Sequence, residues 1–209
     1  MEKKRIVLCG GGPHSKVVLD LLLEDGGYEV VGVLDAIEEA PFGVPVIGTD
    51  ADMARVRASG VDYAFCAVGS NAVRAKVCAA LKAAGFILPT IVAPDAVLSR
   101  RCQIGAGVLV NHGAIVNAGA TIGDGVILNT GCTVDHDCVI GNYAHIAPGV
   151  HISGSTRVGA GSFLGVGCCV KDKIVIGEDA VIGAGAAVVG DIPPRCTAVG
   201  VPARVIKQR

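Results

Sequence analysis

The tripeptide Asp135-His136-Asp137 sets one imidazole between two carboxylates. A carboxylate that holds one ring nitrogen fixes the tautomer and raises basicity at the other, which is the chemistry of a general base. Strict strand alternation points both aspartates away from His136, so the contact needs a corner or a local bend. His112, His145 and His151 share the C-terminal half, and His14 sits in the segment Gly10-Gly11-Gly12-Pro13-His14-Ser15. A glycine turn between an apolar strand and a helix offers backbone N–H groups to a phosphate. Asp35 closes the next apolar segment, where a carboxylate accepts hydrogen bonds from a ribose or a base. The dinucleotide pattern G-x-G-x-x-G is incomplete, because Ser15 stands where its third glycine belongs. A nucleotide-sugar therefore suits this turn better than NAD.

The elements that must hold these residues have two rhythms. From Val92 to Val188 every sixth residue is Val, Leu or Ile, seventeen times without a slip. Neither a helix nor an ordinary strand has a period of six; a hexapeptide period marks a left-handed parallel β-helix, a triangular prism with one hexapeptide per face. Residues 18 apart then stack, about 4.8 Å above one another. The fourth position after each aliphatic is mostly small (Ala114, Ala120, Cys132, Cys138, Ala144, Cys168), as a narrow interior corner requires. Glycine often follows the aliphatic (Gly105, Gly123, Gly141, Gly159, Gly165, Gly177, Gly183), and these glycines are expected to supply backbone freedom at the corners. The stacking rule puts Ala118 below His136 and Gly154 above it, so the imidazole stands beside cleared space. It puts His145 between Ile127 and Phe163, His112 under Thr130, and His151 between Thr133 and Cys169. Asn111 and Asn129 form an amide ladder, read here as structural.

The first 90 or so residues alternate short apolar strands with helical patterns. Strands are expected at 5–9, 29–34, 44–47 and 62–68, and helices at about 15–24, 51–58 and 73–84, with Val17, Val18, Leu21 and Leu22 on one side of the first helix. That alternation implies a small parallel α/β sheet. The expected organisation is a Rossmann-like domain over residues 1–89 and a left-handed β-helix over residues 90–209.

Composition narrows the partners. Net charge is −1 and aromatic residues make up 3% with no Trp, which argues against nucleic acid. No apolar run approaches the ~20 residues of a membrane span. The opening Met-Glu-Lys-Lys-Arg resembles a signal n-region, but its apolar stretch ends at Leu8, so a cytoplasmic protein is expected. Nine cysteines without a C-x-x-C pair read as reduced thiols. Arg204, in the closing Gly200-Val201-Pro202-Ala203-Arg204, is a candidate phosphate contact or a solvated cation.

The unbroken hexapeptides, the tract Asn129-Thr130-Gly131-Cys132-Thr133-Val134-Asp135-His136-Asp137-Cys138 and the ending Gly200-Val201-Pro202-Ala203 resemble the sugar acetyltransferases of the left-handed β-helix class. The leader Gly10-Gly11-Gly12-Pro13-His14-Ser15-Lys16 is similar to the G-x-G-G-H-x-K segment of the family holding bacterial UDP-4-amino-sugar N-acetyltransferases and sialic acid O-acetyltransferase-like proteins. Pro13 departs from that pattern and removes an N–H. The resemblance implies a homotrimer with acetyl-CoA in the groove between prisms, no metal, and a nucleotide-sugar on the N-terminal domain. It implies His136 as catalytic base with Asp137 as its acidic partner. It further implies His145, Gly154, Gly183, Ala184 and Gly185 on the coenzyme, and Gly11, Gly12, His14 and Asp35 on the nucleotide. The implied reaction is direct N-acetylation of the 4-amino group of a UDP-4-amino-4,6-dideoxy-sugar. Three alternatives stand beside it: O-acetylation of a sialic acid or other sugar hydroxyl, a zinc enzyme of the γ-carbonic anhydrase kind, and a nucleotide-binding scaffold that only trimerises.

Overall fold

The computed structural model describes residues 3–208; Met1 and Glu2 of the basic leader, and Arg209, lie outside them. The chain divides into two compact units, Met1–Ile91 and Val92–Arg209.

The first unit is built on β1 (Lys4–Cys9), α1 (Ser15–Asp25), β2 (Tyr28–Leu34), β3 (Val46–Gly48), α2 (Met53–Ala58), β4 (Tyr63–Cys66) and α3 (Asn71–Ala83). Its sheet is four-stranded and parallel, in the order β3-β2-β1-β4. Ile6, Val7 and Leu8 are fully buried, as a strand covered on both faces requires. In α1 the buried residues are Ser15, Val18, Leu19, Leu21 and Leu22, one helical face with Leu21 at its edge. Leu19 thus replaces the expected Val17, and Gly26 ends the helix in a left-handed conformation at φ 68°. The third strand starts later than its apolar run suggests. Residues 41–43 form a tight 3₁₀ turn, and Pro45 lends only its carbonyl, to Val33 N at 2.9 Å, because proline has no N–H for the ladder. The expected second helix is two pieces, a 3₁₀ turn over Asp50–Asp52 and then α2. Thr49 and Asp52 make a reciprocal capping box that starts it.

The second unit is the prism. Sixteen two-residue rungs, from Val97–Leu98 to Ala187–Val188, stack into three parallel sheets. Registers such as Val134↔Ile152 and Val170↔Val188 step by 18 residues, as the stacking rule requires, and no loop interrupts the coils. The inward aliphatics from Val110 to Val188 are at most 2% exposed. The small positions between them, Ala114 to Cys168, are fully buried. Two of these are polar and satisfied: Thr156 Oγ1 donates to Lys171 O at 3.1 Å, and Ser162 Oγ to Gly177 O at 2.8 Å.

The corners correct one expectation. From Gly107 to Gly185 the left-handed backbone sits three residues after the aliphatic, as at Gly107, Gly113, Gly125 and Gly131, and not at the glycine that directly follows it. The glycines that follow the aliphatic answer a different constraint. A Cβ at Gly141 would lie 2.5 Å from Ala160 N, and one at Gly105 would lie 2.8 Å from Asp124 N. These positions are small because the next coil passes directly over them. The 18-residue step also ends with the last coil: Val181↔Thr197 and the bridge Ile176↔Ile192 step by 16, with Pro193 and Pro194 in the shortened segment. Strand Cys196–Val199 adds a final rung, and Arg204–Gln208 returns antiparallel to it.

Gly141→Ala is therefore expected to destabilise the protein by about 1–3 kcal/mol, the usual cost of overpacking, measured as a lower urea midpoint at unchanged slope. A midpoint equal to that of the parent protein would refute the close-approach reading of these glycines.

Candidate active site

The corner after rung Thr133–Val134 builds the His136 site. Asp137 occupies the left-handed position, at φ 58°, a conformation that Asp tolerates better than most side chains. This corner supplies the bend that strand alternation lacks, and Asp137 Oδ2 lies 2.9 Å from His136 Nδ1. Asp137 N donates to Ala118 O of the coil below at 3.1 Å. Gly119 leaves room for the carboxylate, since a Cβ there would collide with Asp137 Oδ1. Asp135 does different work. Its Oδ1 accepts from His136 N at 2.7 Å and from Asn117 Nδ2 at 2.9 Å, and these bonds hold its carboxyl below the usual range. The hydrogen bond that His136 donates to Asp137, then the charge of Asp135, pushes His136 above the ordinary imidazole value. Its side chain is 60% exposed. On the coil above, Gly154 lies directly against the ring: a Cβ there would sit 2.5 Å from His136 Nε2. The cleared flank expected from the stacking rule is thus filled by the imidazole itself.

His145 belongs to a different sheet, paired with Ile127 below and Phe163 above. The Phe163 ring meets it edge-on at 5.1 Å between centroids. The amide ladder read as structural ends on this residue. Asn111 Oδ1 accepts from His112 N at 2.8 Å, which turns its Nδ2 toward Asn129 Oδ1 at 3.1 Å. Asn129 Oδ1 also accepts from Thr130 N at 2.9 Å, so its Nδ2 faces His145 Nε2 at 3.2 Å. Backbone N–H groups only donate, so the amides have one orientation, His145 Nε2 accepts, and its proton sits on Nδ1. The signal was present in the sequence: 18-residue stacking joins the two asparagines, and one diagonal step reaches His145.

Within one chain the structure does not bring His136 and His145 to a common sheet; one follows a rung of the 133–134 stack and the other lies on the 145–146 stack. His112 has its own partner, Asp95 Oδ1, at 2.7 Å from Nδ1, an ion pair the stacking rule did not suggest. His151 Nδ1 lies 2.9 Å from Thr133 Oγ1. Ala184 and Gly185 are exposed beside half-buried Gly183. All nine cysteines are free thiols. Burial pushes Cys132 and Cys168 up to about 12, so neither is a nucleophile at neutral pH.

The first unit presents a polar crevice at the carboxyl edge of its sheet. Gly10 takes φ 99° there, with Val68 directly against its Cα. Asp35 ties the turn to the end of β2, accepting from Gly11 N at 2.7 Å and Ala36 N at 2.6 Å. Gly12 O accepts both Ser15 N and Ser15 Oγ, at 2.9 and 2.7 Å, which makes Ser15 the peg that starts α1 and explains its place in the pattern. A cavity of about 500 Å³ opens beside Gly11, Gly12, Lys16 and Phe42, where a cation and a helix start suit an anionic group. A second cavity, of about 310 Å³, lies between Cys9, Gly10, Asp35 and Val68. Arg74 was missed by sequence reasoning. It is 1% exposed, and its Nη1 donates to Gly69 O at 2.9 Å and Val68 O at 3.2 Å while Nη2 donates to Asn71 Oδ1 at 2.9 Å. It therefore locks the turn between β4 and α3. Its position in the buried stripe with Val77, Cys78 and Leu81 was the available signal, because a lone Arg on an apolar face must find acceptors. Burial, then the Arg74 charge, holds His14 below the ordinary imidazole value, so this imidazole is neutral at neutral pH.

Comparison with known proteins agrees with this architecture. Residues 5–81 match the model of the PglD N-terminal domain, and residues 119–154 that of the bacterial transferase hexapeptide (six repeats). No curated protein gives a significant match. Among solved structures, the acetyltransferase domain of PglB from Neisseria gonorrhoeae is 38% identical, with 98% of this chain and 100% of that one covered at TM-score 0.94. PerB from Caulobacter crescentus, crystallised with CoA and GDP-perosamine, is 40% identical over 97% of each chain at TM-score 0.94. WeeI from Acinetobacter baumannii is 25% identical, covering 96% of this chain and 99% of that one at TM-score 0.88. These relationships set aside the scaffold and carbonic anhydrase alternatives. The chain belongs to the left-handed β-helix sugar N-acetyltransferases with a PglD-type N-terminal domain, and it is an acyltransferase.

Proposed function

We propose that the protein transfers an acetyl group from acetyl-CoA to the 4-amino group of a nucleotide-linked 4-amino-4,6-dideoxy sugar, with His136 as general base. The observation that carries this reading is the His136 Nδ1 contact to Asp137 Oδ2 at 2.9 Å on a mostly exposed ring. With Nδ1 held, Nε2 is the nitrogen that accepts a proton. The amine attacks the thioester carbonyl, its proton passes to His136, and the CoA thiolate leaves; no enzyme nucleophile is needed. Asp137 positions His136. A backbone N–H stabilises the oxyanion, since His145 Nδ1 is buried and its Nε2 accepts from Asn129. His145, Gly154 and the run Gly183, Ala184 and Gly185 contact the coenzyme. Gly11, Gly12, His14 and Asp35 hold the nucleotide, with the diphosphate beside Lys16.

His136 and His145 lie on different stacks of one prism, and a homotrimer that brings the His136 corner of one chain against the His145 sheet of the next completes the site. Acetyl-CoA complexes are known for the Neisseria relative, and two structures of the Caulobacter enzyme, each with one histidine replaced, hold CoA and GDP-perosamine. Both support the assignment of co-substrate and acceptor. The family resemblance implies UDP as carrier, and the Caulobacter relative was crystallised with GDP-perosamine; a nucleoside diphosphate is common to both. No helix among the described residues is long and apolar enough to cross a membrane, and a cytoplasmic setting fits an enzyme that draws on acetyl-CoA.

The test is thiol release from acetyl-CoA with a panel of UDP- and GDP-linked 4-amino sugars and sialic acids. Acetylation of a 4-amino sugar is expected; transfer to sialic acid alone would replace this reading by O-acetylation. His136→Ala is expected to lower kcat by roughly 10²–10⁴-fold with the trimer intact by light scattering, and near-normal turnover would remove His136 from the mechanism.

The pH profile tests Asp137. A general base works deprotonated, so kcat/KM rises with pH through the raised His136 value. Asp137→Asn keeps a residue that tolerates the left-handed corner but removes the largest cause of the shift. The inflection is expected to move to lower pH and the plateau to fall. An unchanged profile would show that Asp137 does not set the basicity of His136.

A further inference from the structure

The cavity of about 310 Å³ at the carboxyl edge of the first sheet is near the small end for ligand sites. It has room for one ring system, not for a whole nucleotide sugar. Its walls are Leu34, Val68, Val73 and Val77, apolar surfaces suited to the faces of a flat ring. Its polar lining is Thr49, Asp35 and Asp50, and the first two are already committed. Thr49 is in the capping box with Asp52, and both Asp35 oxygens accept backbone N–H groups. Asp50 makes no side-chain hydrogen bond or ion pair among the described residues. It lines the cavity as an exposed residue, so its carboxylate is available to a ligand.

We propose that this cavity seats the base of the carrier nucleotide and that Asp50 reads it, selecting guanine over uracil. A carboxylate only accepts, and it accepts best from two parallel donors. Guanine offers N1–H and N2–H side by side. Uracil offers one N–H flanked by two carbonyl oxygens, which a carboxylate repels. Cytosine and adenine each set a lone pair beside their amino group, so neither fills both carboxylate oxygens. The inference rests on the nucleotide-sugar reading and adds the base to it; it also replaces the UDP carrier that the family resemblance implies.

The experiment is isothermal titration of GDP and UDP into the intact protein, with kcat and KM for GDP- and UDP-linked 4-amino sugars, for the parent protein and for Asp50→Asn and Asp50→Ala. The parent is expected to prefer guanine. Both variants are expected to lose roughly ten- to a hundredfold in GDP affinity, the discrimination carried by one bidentate pair. UDP affinity should change by less than about threefold, and the loss should fall on KM rather than kcat because the base is remote from the reacting carbonyl. A parent preference for UDP, an equal loss for both nucleotides, or no loss at all would overturn the assignment of Asp50. Any of these with continued acetylation of a nucleotide-linked amino sugar leaves the proposed reaction standing, whereas no transfer to either sugar would defeat that reaction instead.

Discussion

Each coil of the prism closes because one residue in six turns left-handed. That corner lets three flat faces meet, and it keeps successive coils in step so that side chains stack in columns. The interior then fills by a simple rule, an aliphatic pointing in and a small residue at the corner, and burial of each aliphatic contributes about 1.5–3 kcal/mol. The same corner positions the His136 ring. Asp137 reaches the ring of its own neighbour only because its backbone is left-handed. On an extended strand the two side chains would leave opposite faces. The His136–Asp137 pair is a by-product of the geometry that closes the coil.

Around that dyad the polar residues divide the work. Asp135 is held by a backbone N–H and by Asn117, so it shapes the corner and adds charge at a distance. Asp137 makes the direct contact and is the first cause of the raised His136 value. The asparagines act on the other histidine, passing orientation from the backbone of one coil to the ring of another. In the first unit Arg74 plays the comparable part, fixing carbonyls that would otherwise be free to move beside the crevice. In each case a group whose protonation or direction is invariant, a peptide N–H or a guanidinium, dictates the state of one that can vary.

Much of this was legible in the sequence because a period of six has one structural meaning. The stacking of Gly154 on His136 followed from counting alone, and so did the pairing of His145 with Phe163. Local rules failed where a second partner intervened. The third strand started late because Pro45 cannot donate, and Val17 gave way to Leu19 because the helix face is set by what lies beneath it. The glycines after each aliphatic were assigned the wrong cause: their constraint comes from the next coil, which a local reading of the chain does not contain. Asp95 with His112 and the commitments of Asp35 were out of reach for the same reason, since neither partner repeats with the hexapeptide. Arg74 was within reach and overlooked, an apolar stripe with a cation in it.

A stack of parallel rungs has no intrinsic stopping point, and its last row of peptide groups is a template for another prism to dock and extend the column without limit. Here the last coil is two residues short of its predecessors, so the three faces do not end level. On one face the strand Arg204–Gln208 lies antiparallel to its neighbour and carries Arg204 and Lys207 outward. An incoming rung would meet the wrong polarity on that face, a step at the others, and positive charge at the rim. That end of the prism therefore differs from a plain rung in strand polarity, in level and in charge.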